Sequence, residues 1–121
     1  MAGGYSHAVR VELGEAAIIY VSGQLAIDAD GTFVGVDDVE AQTRKVFENL
    51  RAILSANGAT FGDVVKMDTY VTDLEGLPAI REVRREFLGA DPPASTLVEI
   101  NGLVHPDALI EIDAVAVVPL I

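Results

Sequence analysis

Glu111 is the residue whose sequence context is best suited to acid–base chemistry. It lies between Ile110 and Ile112 in an apolar segment that predicts a strand, so its side chain points away from theirs. In a partly dry cleft, desolvation raises the pKa of a carboxylate toward a value at which it can activate water. The same pattern also fits a solvated strand glutamate, because carboxylates in strands are mostly exposed.

Other residue types restrict the chemistry further. The chain has no cysteine, which excludes disulfides, thiolate metal sites and cysteine nucleophiles. His7 and His105 are the only histidines, and they are too far apart in sequence to show metal-ligand spacing. We therefore expect neither a metal nor an organic cofactor.

Length and charge define the class of protein. The 121 residues are enough for one domain, which we assign to residues 1–121. Eight basic and nineteen acidic residues give a net charge of −11, which repels phosphate backbones and anionic membranes. The N-terminal residues do not resemble a signal peptide, and the apolar runs are too short to cross a bilayer. We expect a cytoplasmic protein without nucleic-acid or membrane partners.

Apolar runs and alternating patterns predict strands, and turn-forming residues separate them. Val64–Thr72, for example, alternates between apolar side chains on one face and Lys66, Asp68 and Tyr70 on the other. A turn at 28–31 predicts a hairpin between short strands at 25–27 and 32–34. The remaining predicted strands cover residues 7–11, 16–21, 97–100 and 108–118.

Two amphipathic helices separate these strands. Apolar residues recur at helical spacing from Val39 to Leu54, with Asp37 and Glu40 as a predicted capping box and Asn57-Gly58 as a stop. The second helix has Pro78 in its first turn and ends at Gly89.

Both helices can cover only one face of such a sheet. The other face then contains residues such as Tyr70, Val98, Ile100 and Ile112. A face this apolar predicts burial against other subunits, with a monomeric sandwich as the alternative.

An ordered set of motifs resembles the RidA/YjgF/UK114 family over nearly the whole chain. The motifs lie at residues 4–9 (GYSHAV), 21–24 (VSGQ), 63–66 (DVVK), 71–74 (VTDL), 93–96 (PAST) and 109–112 (LIEI). The resemblance implies an α+β fold of the chorismate-mutase-like type, with a mixed sheet and two helices on one face. It also implies a homotrimer whose sheets form a barrel with clefts between subunits.

The resemblance further implies an enamine or imine deaminase, which hydrolyses a reactive C=N compound to a carbonyl compound and ammonia. In the family a strand glutamate holds the attacking water, and Glu111 lies at that position. Ser22 matches a cleft-lining serine, and Tyr5 matches a tyrosine near the N-terminus. Tyr5 is equally suited to be a packing anchor. Gly23 either permits the close approach of a ligand or a backbone segment, or marks a bulge.

One departure from the family pattern concerns the substrate. The family arginine that clamps the substrate carboxylate is replaced by Ser95, followed by Thr96, and no basic residue lies after position 85. A serine cannot replace a bidentate guanidinium. Either the substrate has no carboxylate, or another cation such as Arg81 binds it. Ser95 could also merely begin a strand, and Arg81 could belong to an ion-paired helix surface.

These residues lead to two hypotheses. In the first, water held by Glu111 attacks a small C=N compound that is not a standard 2-imino acid, while Ser22, Ser95 and Thr96 orient it. In the second, a trimer of the same fold binds a small ligand without catalysis.

Overall fold

The computed structural model describes residues 4–120, which form one five-stranded sheet with two helices. The strand order across the sheet is β1-β2-β5-β3-β4. The strands are β1 (Ala8–Leu13), β2 (Ala16–Gln24), β3 (Val64–Val71), β4 (Ala94–Glu99) and β5 (Ile110–Pro119), and the helices are α1 (Val39–Ala56) and α2 (Leu77–Leu88). The α+β fold with a mixed sheet is confirmed.

Strand direction follows from the connections. β1 and β2 form an antiparallel hairpin, and β5 lies antiparallel between β2 and β3. β3 and β4 are parallel because α2 lies between them in sequence and carries the chain back along the sheet. β5 is therefore a central strand, and its residues have neighbours on both sides.

The ends of α1 show one difference from the predicted cap. Asp38, not Asp37, is the N-cap, and its side chain accepts a hydrogen bond from the Ala41 amide at 3.0 Å. Asp37 has φ of 60°, whereas an N-cap residue needs the extended backbone that Asp38 adopts. At the other end Asn57 is the C-cap and Gly58 has φ of 74°, as the sequence predicts.

The core lies between the helices and one face of the sheet. Phe47 of α1 stacks on Phe87 of α2, with ring centroids 5.1 Å apart, and Phe61 packs against both rings. Ile110 and Ile112 of β5 are buried in the same core. The prediction that Ile112 lies on the uncovered face is therefore wrong, because the strand period places it with Ile110.

The predicted hairpin at residues 25–34 is reduced to a single bridge between Ile27 and Phe33. Asn49 of α1 replaces strand pairing here, since its side-chain amide donates to the carbonyls of Leu25 and Ile27 at 3.0 and 2.8 Å. The segment after β2 is thus held to α1, which shapes the adjoining surface.

The face of the sheet opposite the helices, called here the open face, has an apolar part and a polar part. Val9, Leu13, Tyr20 and Val117 lie on the apolar part, and each is more than a third exposed. Charged residues of β3 and β5 lie on the polar part. No helix within residues 4–120 has the length and hydropathy needed to cross a membrane.

Candidate active site

A groove of about 910 Å³ lies beside the end of β2 and contains four of the predicted site residues. Tyr5, Ser22, Gly23 and Glu111 all line it, although they are separated by up to 106 positions in sequence. The fold brings them together because β2 and β5 are neighbours in the sheet and the N-terminal segment runs beside the end of β2.

A bulge at the end of β2 places Ser22 and Gly23 at the groove. The register of β2 against β5 shifts between Val21 and Gln24, so these two residues leave the regular ladder. The Ser22 hydroxyl donates to the Ser6 carbonyl at 2.5 Å, and the Ser22 amide donates to the His7 carbonyl at 2.9 Å. Ser22 therefore fixes the segment that positions Tyr5, while its hydroxyl oxygen can still accept a hydrogen bond.

Gly23 is required by the Glu111 side chain. A Cβ atom at position 23 would lie 2.5 Å from Oε2 and 2.7 Å from Cδ of Glu111. Gly23 has no positive φ, so its role here is space and not backbone conformation. The structure shows a bulge at Gly23, and the group that approaches it is the side-chain carboxylate of Glu111, not the predicted ligand or backbone segment.

The electrostatic environment of Glu111 suits a base. Partial burial raises the pKa of its carboxyl, and the negative charge of Asp113 raises it further. Among residues 4–120 no hydrogen bond or ion pair is made by the Glu111 carboxylate. Its oxygens are therefore available to accept hydrogen bonds from water or a ligand.

A connected polar network lies beside Glu111 on the open face. The Tyr70 hydroxyl donates to Asp113 at 3.2 Å, and Asp113 shares a hydrogen bond with Asp68. Lys66 pairs with Asp68 at 2.9 Å and donates to the Thr96 hydroxyl at 2.8 Å. Thr96 is therefore tied to this network and does not line the groove of its own chain.

The network gives a stability prediction for Asp113. Burial, the charge of Asp68 and a hydrogen bond with Asp68 raise the pKa of Asp113 above its ordinary value of 3.8. When folding raises the pKa of a carboxyl, the protein loses stability as pH rises from the carboxyl's unfolded-state pKa through its folded-state pKa. Asp113→Asn should therefore raise the free energy of unfolding at neutral pH by about 0.5 kcal/mol, since solvent screens these half-exposed groups.

Denaturant unfolding of wild type and Asp113→Asn at equal protein concentration, from pH 3 to pH 8, measures this effect. The gain should shrink as pH falls below the folded pKa and vanish near the unfolded pKa. A variant that is less stable than wild type at neutral pH would contradict the repulsion between Asp113 and Asp68.

Ser95 and Arg81 also lie outside the groove. Ser95 is on β4, an edge strand, where it is opposite Met67 and shares that residue's side of the sheet. Arg81 is exposed on α2. Within one chain, Ser95, Thr96 and Arg81 are therefore not brought to Glu111.

Sequence reasoning missed the three polar residues of α1 that line the groove. Lys45, Glu48 and Asn49 line the groove beside the loop that follows β2. Their spacing of three and four residues places them together on one side of the helix, away from the core positions. That signal was present in the sequence, but only the packing of α1 against the loop shows that this side faces the groove. No cluster of three metal-ligating side chains occurs in residues 4–120.

Comparison with known proteins finds matches over nearly the whole chain. The family model described as Endoribonuclease L-PSP matches residues 1–118. A RutC family protein of Pyrococcus abyssi is 39% identical over 114 residues, which cover 94% of this chain and 86% of that protein.

Solved structures extend the likeness to the fold. RidA from an Antarctic Psychrobacter is 32% identical with a TM-score of 0.85, and the match covers 98% of this chain and 91% of that one. Escherichia coli TdcF with bound serine is 33% identical with a TM-score of 0.84, covering 97% of this chain and 90% of that one. The sequence and the fold thus point to the same group of proteins.

Proposed function

Because this chain belongs to the Endoribonuclease L-PSP family, which includes the RidA and YjgF proteins, we propose that it is an enamine/imine deaminase-like hydrolase. The observation that carries the proposal is Glu111, a partly buried carboxylate with a raised pKa that lines a groove with Ser22, Gly23 and Tyr5. The substrate is a small C=N compound, and no cofactor takes part.

The reaction adds one water molecule to the substrate. Glu111 accepts a proton from water as the water oxygen bonds to the carbon of the C=N group. Glu111 returns this proton to the imine nitrogen, which gives the carbinolamine R₂C(OH)NH₂. Glu111 then takes the proton of the carbinolamine hydroxyl and passes it to the nitrogen, so that the C=O bond forms as the C–N bond breaks and ammonia leaves. The balance is R₂C=NH + H₂O → R₂C=O + NH₃. Ser22 accepts a hydrogen bond from the substrate, since its own proton is donated to Ser6.

The assay for this proposal is ammonia release from a panel of imines, with wild type compared with a Glu111 variant. Loss of release in the variant supports hydrolysis. The alternative function, a non-catalytic trimer that binds a small ligand, predicts binding without release by either protein. TdcF with bound serine shows a small ligand held by a relative, so binding alone does not discriminate.

RNA cleavage, which the family's name suggests, ranks below both functions. The net charge of −11 opposes binding of a phosphate backbone, since such binding depends on basic side chains that displace counterions. The groove itself contains one lysine and three carboxylates.

The functional unit in this proposal is a cytoplasmic homotrimer. The exposed apolar part of the open face supports association, because monomers rarely leave such patches uncovered. Ser95, exposed on the edge strand β4, would then reach the groove of a neighbouring copy, whereas Thr96 lies on the opposite face of that strand and is bonded to Lys66. Light scattering at micromolar concentration should give three times the mass of the 12.8 kDa chain, and a monomer would contradict both the trimer and a shared groove.

The Ser95 position gives a gain-of-function prediction. Ser95→Arg should increase turnover of 2-iminopropionate about tenfold, equivalent to about 1.4 kcal/mol of transition-state binding, because guanidinium pairs bidentately with carboxylate. Ser95→Lys is the control with the charge but without the planar geometry. Rapid turnover of 2-iminopropionate by wild type would contradict this account, and Arg81→Gln would then test the other candidate cation.

A further inference from the structure

We propose that the groove selects cationic substrates, namely protonated imines whose organic part has no carboxylate. This inference rests on the hydrolase function proposed above and names the substrate class of the same groove. For a protonated imine the balance is R₂C=NH₂⁺ + H₂O → R₂C=O + NH₄⁺, so substrate and nitrogen product are both cations.

The charges that line the groove carry the inference. Within residues 4–120, Asp28, Glu48 and Glu111 contribute three carboxylates to the lining, whereas Lys45 is the only lysine or arginine there. The groove stays negative even if His7 is protonated. A substrate carboxylate would therefore meet net repulsion, and a cation would meet net attraction.

The acidic side chains are not neutralised by basic partners. Among the described residues, none of the four ion pairs includes Asp28, Glu48 or Glu111. Arg44 lies close enough to Glu48 to feel its charge, but its guanidinium is bonded to Glu86 at 2.6 Å. The Asp28 carboxylate accepts the backbone amides of Asp30 and Thr32, and no basic side chain among residues 4–120 pairs with it.

Lys45 alone does not reproduce a carboxylate clamp. An ammonium on a flexible stem is a point charge, whereas a guanidinium holds a carboxylate through two parallel hydrogen bonds. Glu48, one helical turn away on the same side of α1, offsets the positive charge of Lys45.

The charge of the whole chain acts in the same direction. A net charge of −11 raises the local concentration of cations and lowers that of anions at the surface. A second copy that completed the groove would bring the same net charge, and Ser95 on its edge strand β4 is neutral.

Binding of serine and serinamide tests the inference without turnover. The two probes have similar size, but serinamide lacks the carboxylate and is a cation below the pKa of its amino group. By titration calorimetry at low ionic strength we expect serinamide to bind about tenfold more tightly, with the ratio falling at about 0.5 M salt. Equal affinities, tighter serine binding, or binding of neither probe would overturn the inference.

Charge variants separate the groove from the rest of the surface. Glu48→Gln should weaken serinamide binding about threefold, whereas Glu12→Gln, which removes a charge on β1 outside the groove, should leave it unchanged. Lys45→Gln should tighten serinamide binding. Loss of serine binding in Lys45→Gln, together with a wild-type preference for serine, would show that Lys45 is a carboxylate clamp and overturn the inference.

Failure of this inference is distinguishable from failure of the hydrolase proposal. If the protein prefers serinamide but releases no ammonia from any imine, selection by charge is supported and the hydrolase function is contradicted. If ammonia release is faster from 2-iminopropionate than from a carboxylate-free imine, the hydrolase function is supported and selection by charge is contradicted.

Discussion

Glu111→Gln is expected to lower the rate of ammonia release by at least about 100-fold, the lower end of the range for loss of a positioned base. Glutamine keeps the size and the hydrogen-bonding oxygen but cannot accept the proton of the attacking water. Steady-state ammonia release measures the loss, and circular dichroism with light scattering checks that fold and assembly are retained.

The pH dependence separates a base from a residue that only holds the fold. Wild-type turnover should rise with pH through the raised pKa of Glu111, because only the ionised carboxylate accepts a proton. Asp113→Asn should move this rise to lower pH, since it removes a charge that raises the pKa of Glu111. Glu12→Gln is the matched control outside the groove. Residual turnover in Glu111→Gln with an unchanged pH profile would contradict the role of Glu111.

Gly23→Ala is expected to produce the second large loss of activity. The added methyl carbon would lie 2.5 Å from Oε2 of Glu111, so the carboxylate must move out of its position. The nearest atoms belong to the end of a flexible side chain and not to backbone, so the fold should survive while turnover falls about 100-fold, the scale of a misplaced catalytic group.

A second glycine provides the control for this substitution. Gly102 has open space around the position of a Cβ and no positive φ, so Gly102→Ala should retain wild-type turnover. Thermal unfolding of both variants would separate loss of stability from loss of geometry. Full activity in a folded Gly23→Ala protein would show that the position of Glu111 is not set by this contact.

The fold was largely predictable because its signals are local. The alternation around Glu111 places its side chain opposite those of Ile110 and Ile112, but it does not show which face the helices cover, and Ile112 was predicted on the wrong one. Helix faces and stops follow from spacing that a single segment contains. Errors occurred where the outcome depends on one residue of register, as with Asp37 and Asp38 at the cap of α1.

The groove was only partly predictable because it depends on contacts between distant segments. The bulge at Ser22 and Gly23 is a property of how β2 pairs with β5, so a single strand's sequence does not reveal it. Lys45 and Glu48 enter the groove through packing of α1 beside the loop after β2. The family resemblance supplied Ser95 as a candidate, but the chain alone places it on a distant strand.

The central claim is that the groove hydrolyses C=N bonds with Glu111 as the base. The most direct test is the initial rate of ammonia release above the spontaneous rate, from carboxylate-free imines and 2-iminopropionate generated in situ, with wild type and Glu111→Gln. We expect acceleration by wild type, greatest with the carboxylate-free imines, and at least about 100-fold less acceleration by Glu111→Gln. If folded wild-type protein releases ammonia from every imine only at the spontaneous rate, the proposed hydrolase function is wrong.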